Sequence, residues 1–306
     1  MKVGIIGGTG GMGIGFALRW SQNHDVIIGS RDASRASESA VEYTNIAKES
    51  FGDIKGSISG NDNVSVAKDS DVLILSIPYD NIDSVCSGIL SEVKDTCVVV
   101  SPIVPMTKTD VGFECVSIKD DKPFSYKLVS NHMKDKSKLV SAFHVISEKK
   151  LVNPTLALDY DIFVCGDDNE SVQIVNSLID EIKGLRSIYL GPVELSYLAE
   201  MCTPLLLNAM IRNKIKNPGI KIIKDNSIIM SHEYQRRGKN WFTAVGLLFC
   251  IMATIVLIQQ LLIWGPEFVE DFLFNGEVTN EKVSMTMLAF GIFMIALGFR
   301  KHEQKR

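Results

Sequence analysis

Six glycines lie within the first thirteen residues of this chain, and their setting limits the folds that it can adopt. Lys2 to Ile6 predicts a short buried strand, and the apolar periodicity from Ile14 to Trp20 predicts a helix. Between them, Gly8-Thr9-Gly10-Gly11-Met12-Gly13 matches G-x-G-x-x-G in a strand–turn–helix context. Such glycines permit a tight turn, a close approach of the backbone to a pyrophosphate, and close packing of helix on strand. We therefore expect a dinucleotide site here.

Glycine clusters of this kind also occur in two different settings. A glycine-rich turn in an unrelated α/β domain would show the same letters. A P-loop does not fit, because no Gly-Lys-Ser/Thr sequence follows the turn. The predicted helix start favours the dinucleotide, since unpaired N–H groups and the positive end of the helix dipole attract phosphates.

Short apolar runs alternate with helical segments along the next 200 residues. We expect strands over 25–28, 54–59, 71–77, 96–100, 138–143, 161–165 and 187–190. We expect helices over 33–49, 65–68, 82–90, 169–183 and 192–211, and a surface loop with a helix over 106–138. This alternation is typical of βαβ units and predicts an α/β fold with a doubly wound parallel sheet.

The predicted domains follow from this pattern. Residues 1–150 would form a Rossmann-type nucleotide-binding domain, and residues 151–222 a small C-terminal α/β lobe that completes its cleft. Residues 223–240 are expected to form a juxtamembrane linker, because two long apolar runs follow them.

Composition narrows the class of protein. A formal net charge of −4 offers no basic field, so nucleic acid is not an expected partner. The six cysteines form no C-x-x-C pair, and we expect reduced, buried thiols rather than disulfides. The N-terminus does not resemble a signal peptide, because glycines interrupt its apolar run.

Two apolar runs near the end of the chain are long enough to cross a bilayer, which takes roughly 17–25 residues. We expect one transmembrane helix over 241–263 and a second, without charge, over 283–299. The alternative is a pair of buried core helices. That would require a second core beside the one that the α/β segments already fill.

Charges around these runs predict an orientation. Basic residues precede the first run at 236, 237 and 239, and a basic tail over 300–306 follows the second. The loop between the runs is acidic, with carboxylates at 267, 270, 271, 277 and 281. The positive-inside rule then places both ends in the cytoplasm. We expect a multi-pass membrane protein of two spans, anchored in lipid, with a cytoplasmic catalytic domain.

The residues at the end of the second predicted strand determine whether a site of this kind prefers NAD or NADP. An acidic residue there binds the ribose 2′-hydroxyl of NAD, whereas arginine accommodates the 2′-phosphate of NADP. Here the chain reads Ser30-Arg31, with Arg35 one helical turn further on and no carboxylate before Asp32. The guanidinium fork suits phosphate, and the serine adds a neutral donor. This pattern favours NADP; the alternative is that the arginines are solvated surface charges.

Matches in order over residues 1 to about 222 support a family assignment. The stretches are GGTGGMGIGFALR, IIGSRD, LSIPYD, VVVSPIVP, VSAFH, VCGDDNES, SLIDEIKGLR, GPVE, CTPLLLNAM and PGIKI. In these the chain resembles the NADPH-dependent coenzyme F420 reductases. The resemblance implies a Rossmann domain with a small C-terminal lobe, with NADP as cofactor and coenzyme F420 as co-substrate. It also implies hydride transfer between C4 of the nicotinamide and C5 of the deazaflavin.

The resemblance assigns cofactor contacts residue by residue. For the pyrophosphate it implies four residues of the first turn, Thr9, Gly10, Gly11 and Met12. For the 2′-phosphate it implies Ser30, Arg31 and Arg35. Nicotinamide-side contacts are expected at Tyr79 and Val104, ring-cleft contacts at His144 and Ile146, and a further contact near the cofactor at Pro218. The chain departs from the family at Ser147, where a proline is expected, and in its apolar C-terminal hairpin.

No residue is expected to carry covalent or acid–base catalysis, because both carriers bring their own reactivity. His144 is the one histidine in the expected cleft, and it would either contact a ring or serve as a hydrogen-bonded structural residue. Asp167 and Asp168 suggest a turn and a helix cap more than a metal site, so no metal is expected.

Two alternative functions remain open from the sequence. STEAP metalloreductases join a related domain to a membrane haem, which would make this chain an NADPH-dependent flavin or metal reductase. Axial haem ligation needs a histidine or an equivalent, and neither apolar run contains a histidine. The other alternative is a non-catalytic NADP-sensing module at the membrane. A homodimer is also left open.

Overall fold

The structure is a computed structural model, and it describes residues 1–223, 241–267, 269, 274 and 276–303, with the backbone alone for 298–303. The chain divides into two compact units, Met1–Ile222 and Ile223–Arg306. We call them the N-terminal unit and the C-terminal unit. Of the linker expected over 223–240, residues 224–240 lie outside the described residues, as does the end of the basic tail.

The N-terminal unit is built on a sheet of eight strands. They are β1 (Lys2–Ile6), β2 (Asp25–Ser30), β3 (Ser57–Asp62), β4 (Val72–Leu75), β5 (Val98–Ser101), β8 (Leu139–Ser141), β9 (Tyr160–Gly166) and β10 (Leu185–Gly191). Their order is β10-β9-β8-β5-β4-β1-β2-β3. The first six in chain order run parallel, β9 is antiparallel to β8, and β10 is parallel to β9. The predicted α/β fold with a mostly parallel, doubly wound sheet is confirmed.

Helices cover both faces of this sheet. They are α1 (Gly11–Trp20), α2 (Ala33–Phe51), α3 (Asn63–Asp69), α4 (Ile82–Ile89), α5 (Val116–Lys119), α6 (Ser125–Asn131), α7 (Glu148–Leu151), α8 (Asn169–Asp180) and α9 (Ser196–Asn213). The central strands β1, β4 and β5 are buried runs of branched residues, as a parallel sheet with two covered faces requires.

Two apolar cores form, one on each face of the sheet. In the first, Phe16 stacks on Trp20 with ring centroids 4.6 Å apart, and Phe143 meets both rings edge-on. The second core packs α4 against the sheet through Ile82 and Cys86, both fully buried. Because these cores fix the strand ends, they also fix the positions at which the loops after the strands begin.

The segment 106–138 differs from its prediction as a loop with one helix. It contains a hairpin of β6 (Met106–Thr109) and β7 (Gly112–Cys115), followed by α5 and α6. The side-chain amide of Asn208 on α9 bonds both backbone groups of Phe113, at 2.9 Å to the N–H and 2.7 Å to the carbonyl. A contact so distant in the chain leaves no local pattern, which is why the hairpin was missed.

The end of the N-terminal unit is fixed to the sheet. Asp161 on β9 is fully buried and accepts two hydrogen bonds from Arg186, at 2.8 and 2.6 Å. The same carboxylate accepts the N–H of Ile222 at 2.6 Å, and Arg186 donates to the Ile222 carbonyl. The Arg186 guanidinium therefore lowers the pKa of Asp161. The chain is thus tied to β9 up to residue 222.

Among the described residues of the C-terminal unit are two long helices, α10 (Trp241–Trp264) and α11 (Asn280–Glu303). Segments of 24 and 18 residues in them have mean hydropathies of 2.5 and 1.3, so both are long and apolar enough to cross a membrane. They pack closely through glycine: a Cβ on Gly246 would lie 2.6 Å from the Gly291 carbonyl oxygen, and one on Gly291 would lie 2.6 Å from Sγ of Cys250. Small residues let helix backbones approach in this way.

Candidate functional site

A groove of about 690 Å³ opens at the carboxyl edge of the sheet, beside the ends of the paired strands β1 and β4. Open parallel sheets bind ligands at the switch point between two such strands, because the connections diverge to opposite faces there. The groove is lined by residues that follow β1, β2, β3 and β4: Gly7, Thr9, Ser30, Arg31, Asp32, Arg35, Asn63, Val64, Ser76, Ile77 and Pro78, with part of α4.

The three fingerprint glycines have distinct surroundings. A Cβ on Gly8 would lie 2.5 Å from Cβ of Ile28, and one on Gly13 would lie 2.5 Å from Cα of Gly8. Packing against neighbouring residues therefore leaves no room for a side chain at Gly8 or Gly13. A Cβ on Gly10 would approach only the Gly7 carbonyl oxygen, at 3.3 Å, so this position is open towards a ligand. The division matches the roles of turn, helix packing and pyrophosphate approach in a dinucleotide site.

Helix α1 begins without a side-chain cap. Its N-cap residue is Gly10, and no side chain bonds the first turn. The N–H groups of Gly11 and Met12 therefore keep their hydrogen-bonding capacity for an anion, and the helix dipole adds to the attraction. The four residues predicted to hold the pyrophosphate lie together at this turn.

The groove also gathers the three residues predicted to hold a 2′-phosphate. Ser30, Arg31 and Arg35 all line it. Asp32 lines it too, but its carboxylate accepts the N–H groups of Ser34 at 2.9 Å and Arg35 at 3.4 Å and caps α2. Within the described part of the chain, neither guanidinium forms an ion pair with a carboxylate. Both positive charges are therefore free to meet a ligand.

Eight predicted contacts do not line this groove. Three of them, Gly10, Gly11 and Met12, lie in the glycine turn next to Thr9, which does line it. The other five are Tyr79, Val104, His144, Ile146 and Pro218. They follow β4, β5 and β8 or lie beside the start of β9, which are all at the carboxyl edge of the sheet. The Tyr79 hydroxyl donates to the Pro123 carbonyl at 2.6 Å, and burial raises its pKa. Val104 and Pro218 are half-buried, and Ile146 is buried. Their assignment to the nicotinamide and the deazaflavin stays a prediction.

His144 is buried and uncharged. Its Nε2 lies 3.2 Å from Oγ of Ser141, and its Nδ1 is buried without a partner among the described residues. Burial lowers the pKa of the imidazole to about 3. The backbone carbonyl of His144 accepts the Thr203 hydroxyl at 2.6 Å, so α9 fixes the segment that contains it.

Glu200 connects α9 to the start of α6. Its carboxylate is fully buried on α9 and accepts the N–H groups of Ser125 at 2.9 Å and Tyr126 at 3.2 Å. It therefore caps α6. Burial outweighs these bonds and raises the pKa of Glu200 to about 7.

Asp167 and Asp168 serve as turn and cap residues, as expected. Asp168 caps α8 and pairs with Lys138 at 2.8 Å, and Asp167 accepts the N–H of Val193 at 3.2 Å. Over the residues that the structure describes, no group of three or more His, Cys, Asp or Glu side chains could hold a metal ion.

Sequence reasoning missed two polar residues at the site. Asn63 lines the groove, and its Oδ1 is buried without a partner in the described structure. Its place directly after β3 was a usable signal, because polar residues at the carboxyl ends of parallel strands meet at one edge. Glu148 on α7 reaches the start of α1, where a Cβ on Gly11 would lie 2.0 Å from Oε1 of Glu148. No local pattern indicated that contact.

Comparison with known proteins agrees with this geometry. Residues 2–105 match the model of a family described as NADP oxidoreductase, coenzyme F420-dependent. The F420-dependent NADP reductase of Methanocaldococcus jannaschii is 38% identical over 223 residues, which cover 72% of this chain and 98% of that protein. The chain belongs to the F420-dependent NADP reductase family.

Other members of the F420-dependent NADP reductase family support the assignment. The reductase of Methanothermobacter thermautotrophicus is 32% identical over 224 residues, covering 72% of this chain and 94% of that protein. A solved structure of a candidate F420-dependent NADP reductase from Arthrobacter sp. FB24 has a TM-score of 0.55 at 18% identity, covering 73% of this chain and all of that one, and it shows the shared fold. The rest of this chain lies outside these matches.

Proposed function

We propose that this protein transfers a hydride between NADP(H) and coenzyme F420. The main support is that the alignment with the M. jannaschii reductase covers nearly all of that protein. The groove agrees with it, because an open glycine turn and two unpaired arginines lie there. When bound, the two carriers supply the redox chemistry, so the protein has to hold and orient them and exclude water.

The residues of the groove fit NADP. The open side of Gly10 and the uncapped start of α1 suit a pyrophosphate. Ser30, Arg31 and Arg35 suit a 2′-phosphate, because a planar guanidinium can donate two parallel bonds to it. The orphan Oδ1 of Asn63 offers an acceptor to a ribose hydroxyl or a base amine in the same groove.

The ring side of the site is proposed to lie at Tyr79, Val104, His144, Ile146 and Pro218. Neutral His144 would contact a ring edge without adding charge to the cleft. Residues 1–150 would bind the nucleotide, and 151–222 would complete the cleft.

We also propose that α10 and α11 anchor the protein in lipid as two spans, with the N-terminal unit in the cytoplasm. Support comes from their length, their hydropathy and the acidic loop between them. Fractionation tests this: the full chain should stay with membranes after an alkaline carbonate wash. Release by carbonate would contradict the anchor.

A homodimer through α9 is a further proposal. Leu198, Met201 and Leu205 lie at helical spacing on its surface and are 45, 36 and 62% exposed. If the two-fold axis is perpendicular to α9, the two helices run antiparallel, and Glu194 near the start of one α9 would face Lys214 after the end of the other. Light scattering in detergent should report a dimer, and Leu205→Glu should reduce it to a monomer. A monomeric wild type would exclude this interface.

One assay tests the activity. Purified full-length protein is mixed with NADPH and oxidised F420, and loss of the deazaflavin's visible absorbance is followed. Turnover supports the proposal. Turnover with FMN alone would favour an NADPH-dependent flavin reductase, and tight NADPH binding without turnover on either acceptor would favour a sensing module.

A further inference from the structure

The carboxylate of Glu148 lies beside Gly11 at the start of α1, although the two residues are far apart in the sequence. A Cβ on Gly11 would lie 2.0 Å from Oε1 and 2.4 Å from Cδ of Glu148, so a side chain at this position would displace the carboxylate from the start of α1. Within the described structure the carboxylate has no hydrogen-bond or ion-pair partner, and the residue is exposed. A charged acceptor at the wall of a cofactor site is thus available to a ligand.

The position of Glu148 is built into the fold. Arg19 on α1 is buried, and its guanidinium donates to four backbone carbonyls of the segment that follows Glu148: those of Lys150, Leu151, Asn153 and Leu156, at 2.6–3.3 Å. Leu151 is fully buried, and a Cβ on Gly15 would lie 2.6 Å from its Cγ. Helix α7 is therefore fastened along α1, and Glu148 at its first position is directed to Gly11.

The neighbours of Glu148 indicate which part of a dinucleotide it would meet. Gly11 belongs to the proposed pyrophosphate contact, and Ile146, two residues before Glu148, belongs to the proposed ring contact. A nicotinamide dinucleotide carries a ribose with two hydroxyl donors between its pyrophosphate and its ring. A carboxylate repels phosphate but accepts hydrogen bonds from hydroxyls. The geometry therefore favours the ribose over the phosphates as its partner.

We propose that Glu148 is a positioning residue that binds the hydroxyls of the nicotinamide-side ribose. The proposal rests on the proposed use of NADP(H). Glu148 would hold the ribose between the turn at Gly11 and the segment 144–146, and so orient the nicotinamide ring in the cleft. Gly11 takes part by leaving the space that the carboxylate occupies.

Binding to the full-length protein tests this, with Glu148→Gln as the variant. Glutamine keeps the size but loses the charge, and charge-assisted bonds are roughly twice as strong as neutral ones. We expect NADPH and NADH to bind about tenfold more weakly. The fragment 2′,5′-ADP has no nicotinamide-side ribose, so its affinity should stay within about twofold. Calorimetry measures all three without turnover.

A matched control is Glu42→Gln, an exposed carboxylate on α2 outside the groove, which should change none of these affinities. Unchanged or tighter NADPH binding in Glu148→Gln would overturn the proposal and show that the carboxylate opposes the phosphates. An equal loss for 2′,5′-ADP would also overturn it, because it would indicate a disturbed α1. Wild-type protein that binds no NADPH would refute the proposed function and this inference together.

Discussion

The carboxylate of Asp32 accepts the backbone N–H of Arg35 at 3.4 Å, and this bond holds the first acidic residue after β2 at the start of α2. The acid in the stretch that discriminates between the nicotinamide cofactors is thereby engaged with backbone. The guanidinium of Arg35 stays on the groove side of the same turn. The two arginines thus remain available to a ligand in the groove, which supports the proposed recognition of a phosphate.

Replacing Arg31 or Arg35 by alanine should weaken NADPH binding about ten- to a hundredfold, since a hydrogen bond to a charged group is worth about 1.5–3 kcal/mol. NADH has no 2′-phosphate and should change less than about threefold. Titration of both nucleotides measures the ratio. Lys48→Ala, at an exposed position near the other end of α2, is the control. Equal losses for both nucleotides would refute the assignment.

A chain that ends at Ile223 should be soluble, folded and able to bind NADPH, because Met1–Ile222 forms a compact unit. A chain that ends at Lys216 should be less stable by at least about 2 kcal/mol. It loses the N–H of Ile222 to buried Asp161 and exposes Tyr160, whose hydroxyl bonds the Asn217 carbonyl. Urea unfolding of both chains measures the difference. Equal stability would mean that the last seven residues do not support β9.

Glu200 should give the N-terminal unit a pH-dependent stability. Its folded carboxyl keeps its proton up to about pH 7, whereas an ordinary glutamate has a pKa of 4.5. The raised pKa means that folding binds the proton, so this contribution is full below pH 4.5 and is lost as pH rises through 7. The free energy of unfolding should fall by roughly 3 kcal/mol over that window.

Because glutamine does not titrate, Glu200→Gln should not show this fall in the free energy of unfolding. Urea unfolding of the Met1–Ile223 chain at several pH values between 4.5 and 7.5 measures it. The exposed Glu42→Gln serves as reference and should retain it. If the free energy of unfolding of Glu200→Gln fell with pH as much as that of the wild type, another group would be responsible for the effect.

The packing of α10 on α11 makes a covalent prediction. At Gly291 a Cβ would lie 2.6 Å from Sγ of Cys250 and 2.7 Å from the carbonyl oxygen of Gly246, so Gly291→Cys requires α10 and α11 to move slightly apart. The new thiol then lies within reach of Cys250, and we expect an intramolecular disulfide under mild oxidation. Ile292, 58% exposed, provides the control: Ile292→Cys should leave both thiols open to maleimide. Mass spectrometry after alkylation distinguishes the two. Free thiols in oxidised Gly291→Cys would contradict the close crossing.

Local patterns predicted much of this molecule. Buried strands such as Val72–Leu75 were readable because a few adjacent residues carry the signal. The same holds for Ser30 and Arg31, which stand at a strand end. Helix α1 was expected from Ile14 but begins at Gly11, because the last glycines of the turn already belong to it. The third strand was expected at 54–59 but runs over Ser57–Asp62, because Asp25 pairs with Ser57 and sets the register.

Long-range contacts account for what sequence patterns missed. The hairpin β6–β7 depends on Asn208, and the hydroxyl of Tyr79 is engaged by the Pro123 carbonyl. Glu148 meets Gly11 only because Arg19 fastens α7 to α1. In each case the deciding partner lies far away in the chain, where periodicity and turn signals carry no information.

The bonds between Asp161, Arg186 and Ile222 also bear on how such a chain can be extended. A catalytic body that secures its own last residues to a buried strand completes its fold before the polypeptide continues. New sequence can then be appended beyond that point without a cost to the sheet. The same arrangement would let the catalytic body be transplanted onto a different anchor, with residue 222 as the natural fusion boundary.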